Sequence, residues 1–159
     1  MINPKQFVDE ILEPTLKAIN MYSVDAMHLM FRTALVESHL THIRQLPKGR
    51  GLGFMQVEMA THIDVVRYLK TRPDITARIL NYLEYTQIPT KEHNLIGNTA
   101  LNVVAARVKY WMQPEPLPSY KDIDAQADYY LKYYNTALGA ATHDAFTKIA
   151  SQSAEFINE

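Results

Sequence analysis

Cysteine is absent from the 159-residue sequence. That excludes disulfides, thiolate metal sites and thiol nucleophiles, so any catalysis falls to carboxylate, histidine, hydroxyl or a bound ion. Glycine is scarce, 5 residues against 8 prolines, which excludes collagen-like and linker-dominated chains. No charge sign is in excess. With 16 Lys+Arg against 17 Asp+Glu the formal net charge is −1, so no overall field gathers nucleic acid or an anionic membrane surface. No stretch of about 18 apolar residues could cross a bilayer, and no stable membrane insertion is expected. Met1-Ile2-Asn3-Pro4-Lys5-Gln6 lacks the basic and then apolar run of a secretory signal, so the expectation is a protein soluble as made.

What is present is apolar material at helical spacing. Hydrophobic residues make up 47% of the chain and charged residues 21%, enough for a core, and the length suits one domain over 1–159. Phe7, Ile11, Leu12, Leu16 and Ile19 recur at three- and four-residue steps behind Asn3-Pro4, a cap followed by a proline suited to the first turn, and Pro14 is expected to kink or split this helix. Ser23 fits the cap of a second helix in which Ala26, Leu29, Met30, Thr33, Ala34 and Glu37 share a face. Residues 44–53, which hold three of the five glycines, read as a loop. Thr61 or Glu58 begins a helix through Val65, Val66 and Leu69, and Pro73 opens another through Ile75, Ile79, Leu80 and Leu83. One long helix is predicted from about Asn94 to Met112, ended by the proline-rich connector Gln113-Pro114-Glu115-Pro116-Leu117-Pro118. Ser119 with Asp122 fits a capping box ahead of Ile123, Ala127, Tyr130, Leu131 and Tyr134, and Thr142 fits the cap of a last helix carrying Phe146, Ile149 and Ala150.

Chemistry concentrates at Glu37. It ends an otherwise apolar stripe near a helix C-terminus, where desolvation and the negative end of the helix dipole both disfavour its ionised form. A carboxyl protonated near neutral pH can serve as a general acid, and the alternative is a helix-end glutamate facing water. Further on, Gly51-Leu52-Gly53-Phe54-Met55-Gln56-Val57-Glu58-Met59-Ala60-Thr61 combines permissive glycines with one amide, Gln56, nineteen residues after Glu37 and able to donate and accept hydrogen bonds as a sugar N-acetyl group requires.

Glu37-Ser38 followed by this glycine loop resembles the soluble lytic transglycosylase family and its goose-type lysozyme relatives. There, a Glu-Ser helix end precedes a loop reading Gly-Leu-Met-Gln and then Ala-Thr. The segment Tyr129-Tyr130-Leu131-Lys132-Tyr133-Tyr134-Asn135-Thr136-Ala137-Leu138-Gly139 is similar to that family's late Tyr-Asn-Ala-Gly segment, in the right order along the chain. Asn98-Thr99-Ala100-Leu101-Asn102 is a looser match to an intervening Asn-Ile helix start. The similarity covers about residues 24–145, and Gln56-Val57-Glu58 before Ala60-Thr61-His62 looks like phage-encoded members.

The resemblance implies a mostly α, lysozyme-like single domain with a glycine-rich loop or small β element beside the active-site helix. It implies Glu37 as catalytic acid and base, with Ser38, Met55, Gln56, Tyr134 and Asn135 supporting substrate, the tyrosine beside the glutamate and the asparagine facing the glycan. The substrate implied is the peptidoglycan glycan strand, cut at the β-1,4 bond between N-acetylmuramic acid and N-acetylglucosamine, without a cofactor or a metal. With no secretory signal, the implied setting is a phage particle, among other virion proteins, or the host cytoplasm before release, with action at the cell wall.

Two departures stand out. The usual Met-Pro before Ala-Thr is Glu58-Met59 here, which brings a second carboxylate near the cleft, and the turn from Thr136 to Gly139 is longer than the family's Asn-Ala-Gly. Glu58 reads as a helix cap, as an arginine partner, or as a second acid that orients water and makes the enzyme a hydrolytic lysozyme. A non-catalytic virion structural or adaptor protein of the same fold is the reading from another class. His39, His42 and His62 with Asp64 lack the His-Glu-x-x-His spacing of a zinc site and read as solvated or core-edge side chains. Tyr110, Trp111, Tyr130 and Tyr134 fall on helices, where aromatic residues are usually core, and Arg44, Lys48 and Arg50 flank the loop as candidate contacts for carboxylates of peptidoglycan stems.

Overall fold

Proline, cap residues and apolar spacing divide the chain into helices almost wherever the sequence suggests. The computed structural model describes residues 1–135 and 141–157. Asn3 caps α1 (Pro4–Gln6), which passes into a π-helical segment, Phe7–Leu12, and then α2 (Glu13–Ala18). The π segment is how the chain accommodates Pro14. Proline offers no N–H and crowds the carbonyl of the preceding turn, so the turns before it widen and the Glu13 N–H reaches back to the Val8 carbonyl.

Ser23 caps α3 (Val24–Ser38), its side chain accepting from the Ala26 N–H at 3.0 Å. Every residue from Ala26 to Leu35 is buried, so α3 is enclosed on all sides and runs through the core. The remaining helices are α4 (Met59–Leu69), α5 (Pro73–Leu83), α6 (Glu92–Gly97), α7 (Thr99–Trp111), α8 (Ile123–Tyr133) and α9 (His143–Ser153). α7 is likewise buried from Leu101 to Val108. One side of it joins the main core with α3, α8 and α9, and Val104 and Val108 on the other side close a smaller cluster with Ile19, Met21, Val65, Leu69, Ile75 and Ile79. Arg32 ties α3 to the approach of α8, its Nη1 donating to the Tyr120 carbonyl at 2.9 Å and to Gln126 Oε1 at 2.8 Å.

Four expectations are corrected. The helix predicted from Asn94 to Met112 is two helices, because Asn98 leaves helical geometry and its side chain accepts from the Leu101 N–H, capping α7. The cap of α8 is Asp122 and not Ser119, since Asp122 Oδ1 takes the Ala125 N–H at 3.0 Å. The small β element is reduced to two isolated bridges, Arg44 with Leu52 and Leu52 with Val57, and no strand forms among the described residues. Trp111 is not core: it is 43% exposed at the end of α7, whereas Tyr110, Tyr130 and Tyr134 are buried. Among the described residues no helix is long and apolar enough to cross a membrane.

The glycine loop is pinned from beneath by α7. Asn102, fully buried, accepts from the Met55 N–H at 2.8 Å and donates to the Leu52 carbonyl at 2.8 Å. Gly53 sits at φ +70°, and a Cβ there would lie 2.3 Å from the Asn102 side chain, so both the backbone angle and the close approach require glycine. Asn102→Ala leaves the Met55 N–H buried without a partner, while the Leu52 carbonyl keeps only the Val57 N–H, which should cost about 1–3 kcal/mol. Urea unfolding of the variant against the native chain measures this loss.

Candidate active site

α3 ends at the surface of a cleft. His39 adopts a left-handed conformation at φ 52° and returns its N–H to the Leu35 carbonyl, stopping the helix one residue beyond Ser38. Ser38 is fully buried, and its Oγ donates within range of the Phe54 carbonyl at 2.7 Å and the Ala34 carbonyl at 3.1 Å while accepting from the Leu40 N–H. It therefore couples the helix end to the glycine loop. Met55 is also fully buried, with its N–H on Asn102 and its carbonyl taking the Tyr134 hydroxyl. Both residues were expected to support substrate directly. Neither lines the cleft, because the loop folds inward over them, and both position the residues that do.

The cleft encloses about 410 Å³, and its wall includes Glu37, Gln56, Glu58, Lys109, Tyr134 and Asn135. Glu37 is half-buried there. Loss of hydration pushes its carboxyl above the ordinary glutamate range. The Tyr130 hydroxyl, donating to Glu37 Oε1 at 2.7 Å, and the nearby Lys109 ammonium pull in the opposite direction, while the charge of Glu58 adds to the rise. Burial dominates, so the proton is held more tightly than on a free side chain. Tyr130 in turn stays protonated, because its own burial and the adjacent carboxylate both oppose phenolate formation.

The tyrosine expected beside the glutamate was Tyr134. It is Tyr130 that occupies this place, one helical turn earlier on α8. Tyr134 turns its hydroxyl to the loop, and its ring stacks on Tyr110 at 5.0 Å and Tyr130 at 5.9 Å. The Tyr110 hydroxyl meets Thr33 Oγ1 at 2.8 Å, and since Thr33 donates its proton to the Leu29 carbonyl, Tyr110 is the donor of that pair.

Lys109 is a second residue that sequence reading missed. It is, with Arg107, one of two basic residues on the buried α7, set between the buried Val108 and Tyr110, and that incongruity was its signal. Its Nζ donates to the Tyr134 carbonyl at 2.8 Å and lies 4.2 Å from the Tyr134 ring centroid. Burial lowers its pKa, and the carboxylates of Glu37 and Glu58 partly restore it. Glu58 occupies the cap position of α4, yet its side chain caps nothing and pairs with no arginine among the described residues. It faces the cleft, which corrects both structural readings of that residue.

Gln56 takes a left-handed backbone at φ 52°, bends its side chain back so that Nε2 donates to the Gly53 carbonyl at 2.7 Å, and leaves Oε1 buried without a partner. Gly51 makes room for it, since a Cβ there would meet Oε1 at 2.8 Å. Asn135 lines the cleft with Nδ2 on the Ala141 carbonyl at 3.0 Å, and the turn Thr136 to Gly139 lies outside the described residues. His39 and His42 reach the rim. His62 is buried with Nε2 on the Pro89 carbonyl at 2.8 Å, and burial lowers its pKa. No group of three metal-binding side chains occurs among the described residues. Arg44, beside the loop, pairs with Glu92 at 3.1 Å.

No protein-family model, no curated protein and no solved structure matches this chain. The functional reading therefore stands on the cleft and on the order of its motifs. Chemically the arrangement provides one carboxyl that holds its proton more tightly than a free glutamate, a phenol that orients it, and a cation that steadies its ionised form.

Because the Tyr130 bond favours the ionised form of Glu37, Tyr130→Phe should raise the Glu37 pKa further. A carbon-detected NMR titration of that carboxyl measures it. The stability linkage has a definite sign as well. A carboxyl with a raised folded-state pKa contributes stability below the ordinary carboxylate range and loses it as pH rises through the raised value. Glu37→Gln should accordingly gain stability relative to the native chain between about pH 4 and about pH 7, as read by thermal unfolding at the two values.

Proposed function

We propose that this chain is a lytic transglycosylase of peptidoglycan, cutting the β-1,4 bond between N-acetylmuramic acid and N-acetylglucosamine with Glu37 as its single acid and base. The observation that carries the reading is the desolvated Glu37 carboxyl, oriented by Tyr130 at the wall of an open cleft. In this reading Glu37 gives its proton to the glycosidic oxygen as the C1–O bond breaks. The sugar's own acetamide oxygen shields C1, and the Glu37 carboxylate then takes the proton of the 6-hydroxyl, whose oxygen closes on C1. The glutamate ends protonated as it began, and no water is consumed.

A single carboxyl suffices because the nucleophile belongs to the substrate, which makes the closing step intramolecular. Lys109 lowers the cost of the ionised glutamate between the two proton transfers, an effect that the partial burial of both groups makes larger than it would be in water. Gln56 lines the cleft, and its amide is of the chemistry that an N-acetyl group can pair with.

A second reading has its own support. Glu58 shares the cleft, caps no helix, and is close enough for its charge to reach Glu37. If it held a water against the opposite face of the sugar, the same site would hydrolyse the bond.

Glu37→Gln should lower cleavage of purified cell walls by at least about 10²–10⁴-fold with helical circular dichroism unchanged, because the amide keeps the shape and cannot deliver a proton. Retained turnover would reject the assignment, and absence of any native activity would leave a binding protein of the same fold. Mass spectrometry of the muropeptides separates the two chemistries: transglycosylation yields a 1,6-anhydro product, and hydrolysis yields one heavier by a water, about 18 Da. Hydrated products that vanish in Glu58→Gln would replace the transglycosylase with a two-carboxylate lysozyme.

A further inference from the structure

A second cavity, of about 340 Å³, opens where the end of α7 meets the proline connector and α8. Its wall includes Arg107, Trp111, Pro114, Pro116 and Tyr129. Arg107 is one of two buried arginines among the described residues, 4% exposed against 5% for Arg32. Its Nε donates to the Met21 carbonyl at 3.1 Å, and its guanidinium carbon lies 5.4 Å from the Trp111 ring centroid. Among the described residues no carboxylate forms an ion pair with it. The one acid on the cavity wall, Glu115, is turned to Lys132 instead.

Placing a guanidinium in the interior is costly, and a native pair normally repays that cost through a buried counter-ion. Here burial does lower the Arg107 pKa, to about 10, so the group is still charged at neutral pH. With Nε committed to Met21, the two terminal nitrogens form the end of a planar fork whose geometry matches a carboxylate. Trp111, 43% exposed, offers an indole that the core leaves uncovered, and Tyr129 and the prolines make the remaining wall flat and apolar. A volume at the lower end of the range for small-molecule sites limits the ligand to about one ring with its substituents.

We propose that this cavity is a binding site for a small aromatic carboxylate, held by Arg107 through its carboxyl group and by Trp111 through its ring. The site is separate from the cleft of Glu37, and its occupancy does not depend on the function proposed for that cleft.

Trp111 is the only tryptophan in the sequence, so its emission reports on this place alone. Benzoate should change that emission saturably, and benzamide, equal in shape but neutral, should bind at least about tenfold more weakly, as expected for loss of a charge-assisted pair. Arg107→Met should weaken benzoate by a similar factor. Since Arg107 is buried, a variant that loses its helical circular dichroism is replaced by Trp111→Ala, which alters a side chain at the surface. Followed by calorimetry, Trp111→Ala should also weaken benzoate. No saturable response of the native protein, equal binding of benzamide, or benzoate affinity unchanged in a folded variant would each overturn the proposal.

Discussion

The hydrogen bond from Tyr130 to Glu37 joins the two halves of the structure at the point where ionisation is most costly. Glu37 ends a helix enclosed by the core, and Tyr130 belongs to a helix that closes the core from the other side. For the bond to form, α3 and α8 must be in register, which Arg32 in the middle of α3 and Asp25 near its start maintain through their contacts to Tyr120 and Gln126. The carboxyl is thus held by packing over the full length of α3, and its proton affinity is a property of the whole core.

The loop across the cleft depends on the same principle of satisfied backbone groups. A segment with few regular hydrogen bonds has carbonyls and N–H groups to place, and those of Leu52, Phe54 and Met55 are taken by Asn102, Ser38 and Tyr134. Each of these side chains comes from a different helix, so the loop is fastened at three points to the frame that also holds Glu37. Gln56, directly after them, is left with a strained backbone and an unpaired oxygen. Such a combination persists only where the surrounding structure over-determines it, and it is commonest at binding sites.

The electrostatics of the cleft come from three groups with competing effects. Glu37 is penalised by burial, Lys109 is penalised by the same burial, and each moderates the other's loss. Glu58 opposes Glu37 and supports Lys109. The result is a charge arrangement in a chain whose net charge is close to zero, so the field that matters is local and composition is blind to it.

Much of the frame was legible in the order of residues. Asn3, Ser23 and Thr142 cap helices because an oxygen two or three residues ahead of free N–H groups needs no distant partner, and the apolar spacing of α3 and α5 is a local property of the same kind. Asn98 was legible only through the loose match to a helix start, because by apolar spacing alone a capping asparagine within such a run looks like any helical residue until the chain turns there. Within the site, Glu37 and Gln56 could be singled out by their neighbours in sequence. The choice between Tyr130 and Tyr134 could not, since residues four apart share one helix face and only the depth at which α8 packs decides which hydroxyl meets the carboxyl. Lys109, Asn102 and Arg107 are likewise decided in three dimensions. By itself the sequence determined where helices begin, which faces are apolar and that one acidic residue ends a buried stripe, because these depend on contacts a few residues apart. The tertiary structure alone decided which side chains desolvate, pair with or repel that acid, because those interactions act through space between segments distant along the chain.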